Sequence, residues 1–188
     1  MFTVMYADKE GNIMHLFGGQ TPQRPPGDYD WPGIVPGNTS ATIWNHHHPY
    51  EELPRVLNPE SGWLQNANDP PWTTTFPEEI DANDFPAYMS PREMGFRAQR
   101  SARMLDEDES ITFKELVEYK FSTRMELADR LLDDLLDAAS TARDQEIKEA
   151  VRVLKSWDRT ADNASRGSVL FKTWVDDMNF PDDFALQW

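Results

Sequence analysis

Apolar side chains recur at intervals of three and four through the later part of the chain. Met125, Ala128, Leu131, Leu132, Leu135, Leu136 and Ala139 mark one face of an α-helix. Asp133, Asp134 and Asp137 fall on the other side and predict a solvated face, not a carboxylate site. Residues 144–157 repeat the format with Ile147, Ala150, Val151 and Leu154. After a break at 158–162, Ser165-Arg166-Gly167 leads into a last helix carrying Val169, Leu170, Trp174 and Met178. Upstream, Thr112-Phe113-Lys114-Glu115 reads as a capping box opening a helix with Phe113, Leu116, Val117 and Phe121 inward. Ser90-Pro91 supplies an N-cap and a first-turn proline for a helix over 92–105, its faces marked by Phe96, Ala98 or Arg100, and Met104. Residues 90–188 thus predict about five helices, packed as a bundle or irregular helical layer.

The first half is patterned differently. Residues 2–6 and 13–17 are short apolar-rich runs around Asp8-Lys9-Glu10-Gly11-Asn12, the spacing and turn chemistry of a β-hairpin. A lone hairpin is marginal, so it is expected to be the edge of a larger sheet whose other strands lie outside this chain. From residue 18 to 59, Gly and Pro are too dense for a helix or a long strand. Tyr29, Trp31, Ile34, Val35, Ile43, Trp44 and Tyr50 predict that this loop is ordered by burying them. Residues 58–72, Asn-Pro-Glu-Ser-Gly-Trp-Leu-Gln-Asn-Ala-Asn-Asp-Pro-Pro-Trp, then form a rigid corner. Two asparagines, an aspartate and two prolines in close succession bond locally and lock the backbone away from helix, which would fix an amide at the end of a strand.

Composition narrows the function classes. The 188 residues carry 33 acidic against 18 basic side chains, a formal charge of −15. No basic stripe is available to replace counterions on a phosphate backbone or to bind an anionic membrane. With no cysteine, a disulfide framework, a thiolate zinc site and a cysteine nucleophile are excluded. No apolar run reaches membrane-spanning length. The start within a strand and the close at Phe184-Ala185-Leu186-Gln187-Trp188 suggest a chain cut from a larger one, with an apolar hairpin edge that favours self-association.

A Ser-His-Asp centre is not legible: His15 lies on a strand, His46 to His48 lie in a loop, and no serine sits at a nucleophile elbow. The His46-His47-His48 run invites a metal reading, but consecutive histidines diverge and no spacing adds a carboxylate, so a solvated loop is expected. A phosphate loop and a dinucleotide fingerprint are absent. What remains is part of a site. Asn68, fixed by Asp69-Pro70-Pro71, can donate a hydrogen bond to a developing alkoxide, a contribution typically worth about 3 kcal/mol, and Arg97 can supply positive charge.

These residues also carry a resemblance. The run Asn58-Pro59-x-Ser61-Gly62-Trp63-Leu64-Gln65-Asn66-Ala67-Asn68-Asp69-x-Pro71 is similar to a segment of the penicillin acylase family of N-terminal-nucleophile amidohydrolases. That family includes acyl-homoserine-lactone and lipopeptide acylases. Supporting stretches bracket the run in order: Tyr6-Ala7-Asp8-x-x-Gly11-Asn12-Ile13, Val35-Pro36-Gly37 and Glu51-Glu52-Leu53-Pro54 upstream, then Arg97, Arg103 and Leu154-x-x-Trp157-Asp158 downstream. The resemblance implies an α+β fold, a fragment of an αββα sandwich. Residues 1–89 would provide the hairpin, the loops and an Asn-x-Asn active-site strand; residues 90–188 would provide a helical region of the same parent domain. It implies a serine whose own α-amino group acts as base, cleaving a small-molecule acyl amide such as a penicillin or an N-acyl-homoserine lactone. Asn68 would donate to the oxyanion, with Asn66 the second choice, and Arg97 would lie near the site. A structural calcium ion would take the Trp31 carbonyl and Asp84. The partners implied are the rest of the parent enzyme, its α chain and the N-terminal part of its β chain, in a periplasmic or secreted protein.

Because the serine-bearing strand is not in this sequence and Met1 cannot replace it, the chain by itself is expected to be inactive. The competing reading is a non-catalytic acidic helical interaction module.

Overall fold

The computed structural model describes residues 2–178 and 180; Met1 and the closing run 184–188 lie outside the described residues. The chain divides into two compact units, Met1–Met94 and Gly95–Trp188. Among the described residues the fold is mixed, with one small antiparallel sheet and five α-helices.

In the first unit, β1 (Val4–Ala7) pairs with β2 (Ile13–Leu16), and β2 pairs with β3 (Arg55–Leu57), in the order β1-β2-β3. The Asp8 carboxylate nucleates the β1–β2 turn by accepting from the Glu10 and Asn12 N–H groups and from Asn12 Nδ2 at 2.8–3.0 Å. Gly11 supplies the left-handed φ of 90° that the turn requires. The hairpin's next strand is therefore in this chain, a correction to the expectation that its neighbours lie elsewhere. β3 is too short, and too closely bounded by Pro54 and Pro59, to be legible as a strand. Asn58 extends the pairing beyond β3, because its N–H donates to the Ile13 carbonyl and its Oδ1 accepts from Ile13 N–H.

His15 and Val56 are cross-strand partners, and both are buried. Val56, Trp72 and Ile80 form the unit's small apolar cluster, with Leu64, Ala82 and Phe85 against it. The residues of β1 are all exposed. The loop's large side chains are only partly buried: Tyr29, Trp31 and Val35 are half-buried, whereas Ile34, Ile43, Trp44 and Tyr50 are exposed. The loop is ordered by stacking instead, with the Arg24 guanidinium 3.7 Å from the Trp44 ring centroid and 5.3 Å from that of Trp31.

The second unit contains α1 (Phe96–Asp106), α2 (Phe113–Lys120), α3 (Glu126–Ala139), α4 (Gln145–Lys155) and α5 (Arg166–Asp177). Its core gathers Leu127, Ala128, Leu132, Leu154 and Phe171. Phe171 is fully buried, flanked by the rings of Trp157 and Trp174 at 5.5 and 5.6 Å. Gly167 admits the close approach of Trp157, since a Cβ there would sit 2.2 Å from the indole. The inward face of α5 is therefore Gly167, Leu170, Phe171 and Trp174; Val169 and Met178 point to solvent.

Two further expectations fail here. Helix α1 starts five residues beyond Pro91, on Gly95 as N-cap, and Ser90 is buried instead of capping. The Thr112–Glu115 capping box is present, yet Phe113, Leu116, Val117 and Phe121 are exposed. Periodicity marks an apolar face; it does not say what covers it.

Glu126 is buried on α3. Its carboxylate meets Arg103 at 2.7 Å and Arg130 at 3.1 Å, with Arg100 at 4.0 Å. Asp133 and Asp137 are exposed as predicted, and Asp133 accepts from Arg159 at 2.6 Å. No helix among the described residues is long and apolar enough to cross a membrane.

Candidate functional site

The 65–74 loop follows directly from its residue types. Pro70 and Pro71 forbid helix before the short 3-10 turn Pro71–Thr73. The loop's ends are tied together: Gln65 N–H donates to the Thr74 carbonyl at 2.8 Å, and Thr74 Oγ1 donates to the Gln65 carbonyl at 2.8 Å. Asp69 bonds across the interior. Its Oδ1 accepts from Ala67 N–H at 2.7 Å, and its Oδ2 accepts from Gln65 Nε2 at 2.6 Å and from Thr73 Oγ1. At the apex, Asn68 takes a left-handed φ of 61° and its N–H donates to Asn66 Oδ1 at 2.9 Å. Asparagine tolerates this backbone region better than most residues.

The rigid corner expected from the sequence is therefore present, but it is a turn and not the end of a strand; residues 61–70 contain no strand. Asn66 and Asn68 are both exposed, Asp69 is half-buried, and Gln65 and Thr73 are buried. The two asparagines open onto a cleft of about 420 Å³ whose other walls include Phe2, Phe17, Met89 and Ser90. The cleft combines asparagine side chains with apolar and aromatic surface.

Electrostatically, His15 is the perturbed group of this unit. Burial pushes its imidazole down to about 4, against the opposing pull of the Asp69 charge. It is neutral at pH 7, so the Asp69 charge is met by the hydrogen-bond donors and not by an imidazolium.

Arg97 lies on α1, exposed, in the second unit, whereas Asn66 and Asn68 are in the first. The histidine run is not a uniformly solvated loop. His46 and His47 are exposed, but His48 holds Glu52 Oε2 at 2.8 Å through Nδ1 and the Tyr88 hydroxyl at 2.9 Å through Nε2. The i,i+4 spacing to Glu52 was the missed signal, since Tyr50–Glu52 forms a 3-10 turn that folds the carboxylate back. Among the described residues no group of three or more His, Cys, Asp or Glu could hold a metal ion. Trp31 and Asp84 alone offer two oxygen ligands where calcium takes six to eight, so an ion held there would need further ligands from outside this chain.

Comparison with known proteins adds identity to this geometry. The penicillin amidase family matches residues 1–181. Penicillin G acylase of Escherichia coli is 30% identical over 156 residues, covering 81% of this chain and 17% of that protein. A thermostable penicillin G acylase from Alcaligenes faecalis superposes with a TM-score of 0.63 at 25% identity, over 93% of this chain and 31% of the other. The chain thus spans under a third of the length of these relatives.

Proposed function

The chain belongs to the penicillin amidase family, and from that premise we propose that it is part of a serine N-terminal-nucleophile amidohydrolase of αββα architecture, to which it contributes an oxyanion donor. In this reading a serine outside the chain attacks the carbonyl carbon of an acyl amide. Its hydroxyl proton passes to its own α-amino group, and the carbonyl oxygen takes the negative charge. Collapse breaks the C–N bond, the amine leaves with the proton, and water then releases the acyl group from the serine. Asn68 donates its carboxamide N–H to the charged oxygen, Asn66 supports the turn, and Arg97 contributes positive charge.

One observation carries the reading: Asn68 is held exposed at the apex of a clamped loop, on the rim of a mixed polar and apolar cleft. A preorganised donor of that kind stabilises charge that develops only in the transition state. A calcium ion on the Trp31 carbonyl and Asp84 belongs to the reading as a structural ion whose other ligands come from the rest of the enzyme. The substrate class is N-acyl compounds such as penicillins and N-acyl-homoserine lactones, and the compartment is periplasmic or extracellular.

In the complete enzyme, Asn68→Ala is expected to lower kcat about 10²- to 10³-fold with little change in KM; an unchanged kcat overturns the assignment. The isolated chain is expected to turn over no amide. An acidic helical interaction module is the second reading, favoured by the exposed apolar face of α2. A full-length polypeptide that lacks hydrolytic activity would support it.

A further inference from the structure

We propose that Asp69 is a positioning residue for the reaction, acting through Asn68 by locking the loop apex to a buried base; this rests on the oxyanion reading above. The apex presents two consecutive backbone N–H groups, those of Ala67 and Asn68, and each is taken by a side-chain oxygen from the opposite side. Asn66 Oδ1 accepts from Asn68 N–H at 2.9 Å, and Asp69 Oδ1 accepts from Ala67 N–H at 2.7 Å. The two Asp69 oxygens then divide the work. Oδ1 holds the apex, while Oδ2 accepts from Gln65 Nε2 and Thr73 Oγ1, of residues that are each 4% exposed. The bonds are charge-assisted and short, and they join the most exposed part of the loop to its most buried part.

Closure of the loop does not require Asp69. The Gln65–Thr74 pair already ties the ends, and Pro70 and Pro71 already stop regular structure. What the carboxylate adds is directed at the apex, where Ala67 N–H is held at 2.7 Å next to the left-handed Asn68. An oxyanion donor must reach its target within about 2.7–3.1 Å, and a misplacement of about 1 Å can cost on the order of a hundredfold in rate. Removal of the Ala67 anchor frees the turn to relax and carries the Asn68 amide with it. The acidic residue beside the donor is thus an aiming device, and its charge is consumed inside the loop instead of facing substrate.

The test is a double-mutant cycle in the complete enzyme. Asp69→Ala is expected to lower kcat about 10- to 100-fold with KM within about twofold. Combined with Asn68→Ala, it should add less than about threefold to the loss from Asn68→Ala alone, because the group it aims is gone. Asp69→Asn should recover part of kcat, since it keeps an acceptor for Ala67 N–H but sets an NH₂ against Gln65 Nε2. Thr73→Val removes one donor from the carboxylate and is expected to lower kcat about threefold, which keeps the test open if Asp69→Ala misfolds.

Independent, multiplicative losses in the cycle, or an Asp69→Ala enzyme with KM raised and kcat intact, overturn the positioning role. A kcat lowered by Asn68→Ala but untouched by Asp69→Ala and Thr73→Val overturns it while leaving the oxyanion reading standing. A kcat untouched by Asn68→Ala removes the oxyanion reading and this inference together.

Discussion

The two units are held together by different forces. The 1–94 unit has three short strands and a small apolar cluster around Val56, Trp72 and Ile80. Most of its order comes from side chains that bond to nearby backbone: Asp8 in the hairpin turn, Asn58 beyond β3, Asp69 in the 65–74 loop. The 95–188 unit gathers residues of α3, α4 and α5 around Phe171 and its two tryptophan neighbours, and it buries Glu126 among arginines. Helical packing tolerates small shifts along a face. A network of short polar bonds tolerates few, because each donor and acceptor is directional. Asn66 and Asn68 lie in the unit ordered by directional polar bonds, and the larger apolar core lies in the other.

That contrast can be broken by experiment. Phe171→Ala should cost about 3–5 kcal/mol in denaturant unfolding, as expected for an aromatic lost from a packed core; a cost below about 1 kcal/mol would mean that the second unit is not organised around this ring.

The first unit should respond to pH instead. His15 has its folded pKa lowered by burial from the ordinary 6.5 to about 4, so the unfolded chain binds the proton first as pH falls. Stability is full above about pH 6.5 and is lost as the pH falls toward 4, by up to about 3 kcal/mol. His15→Leu should flatten that part of the stability–pH curve, and an unaltered slope would rule His15 out as its source.

Thr74→Val, close to isosteric, deletes the bond to the Gln65 carbonyl at the loop's base and should cost about 1–2 kcal/mol, visible as faster amide exchange across 65–74. At the small end, Phe113→Ala on the exposed face of α2 should change stability by no more than about 0.5 kcal/mol. A larger loss would show that this ring is covered in solution.

Legibility in the sequence followed the range of the interactions. The α3 and α4 periodicities, the Thr112–Glu115 capping box and the Asp8 turn were readable because partners lie within a few residues. The corner at 66–71 was readable for the same reason, down to Asp69 as the residue that stiffens it. Ser90-Pro91 is a good local signal for a helix start, but Ser90 is buried and α1 begins at Phe96. On α5, Val169 and Phe171 are both apolar, and only the packing around Trp157 and Trp174 selects Phe171 for the core. The burial of Glu126 was not legible, because only Arg130 is a local partner at i,i+4, while Arg100 and Arg103 come from another helix.

The sequence by itself determined the helical periods, the hairpin turn and the absence of thiol chemistry, all of which rest on residue type and short spacing, and its motifs carried the resemblance to the family. Tertiary structure alone decided that β3 joins the hairpin, that His48 is taken by Glu52 and Tyr88, that the apolar face of α2 is left exposed, and that Asn66 and Asn68 share a cleft with Phe2 and Met89. Those outcomes depend on which distant side chains compete for the same volume and the same hydrogen bonds, and periodicity along a chain carries no record of that competition.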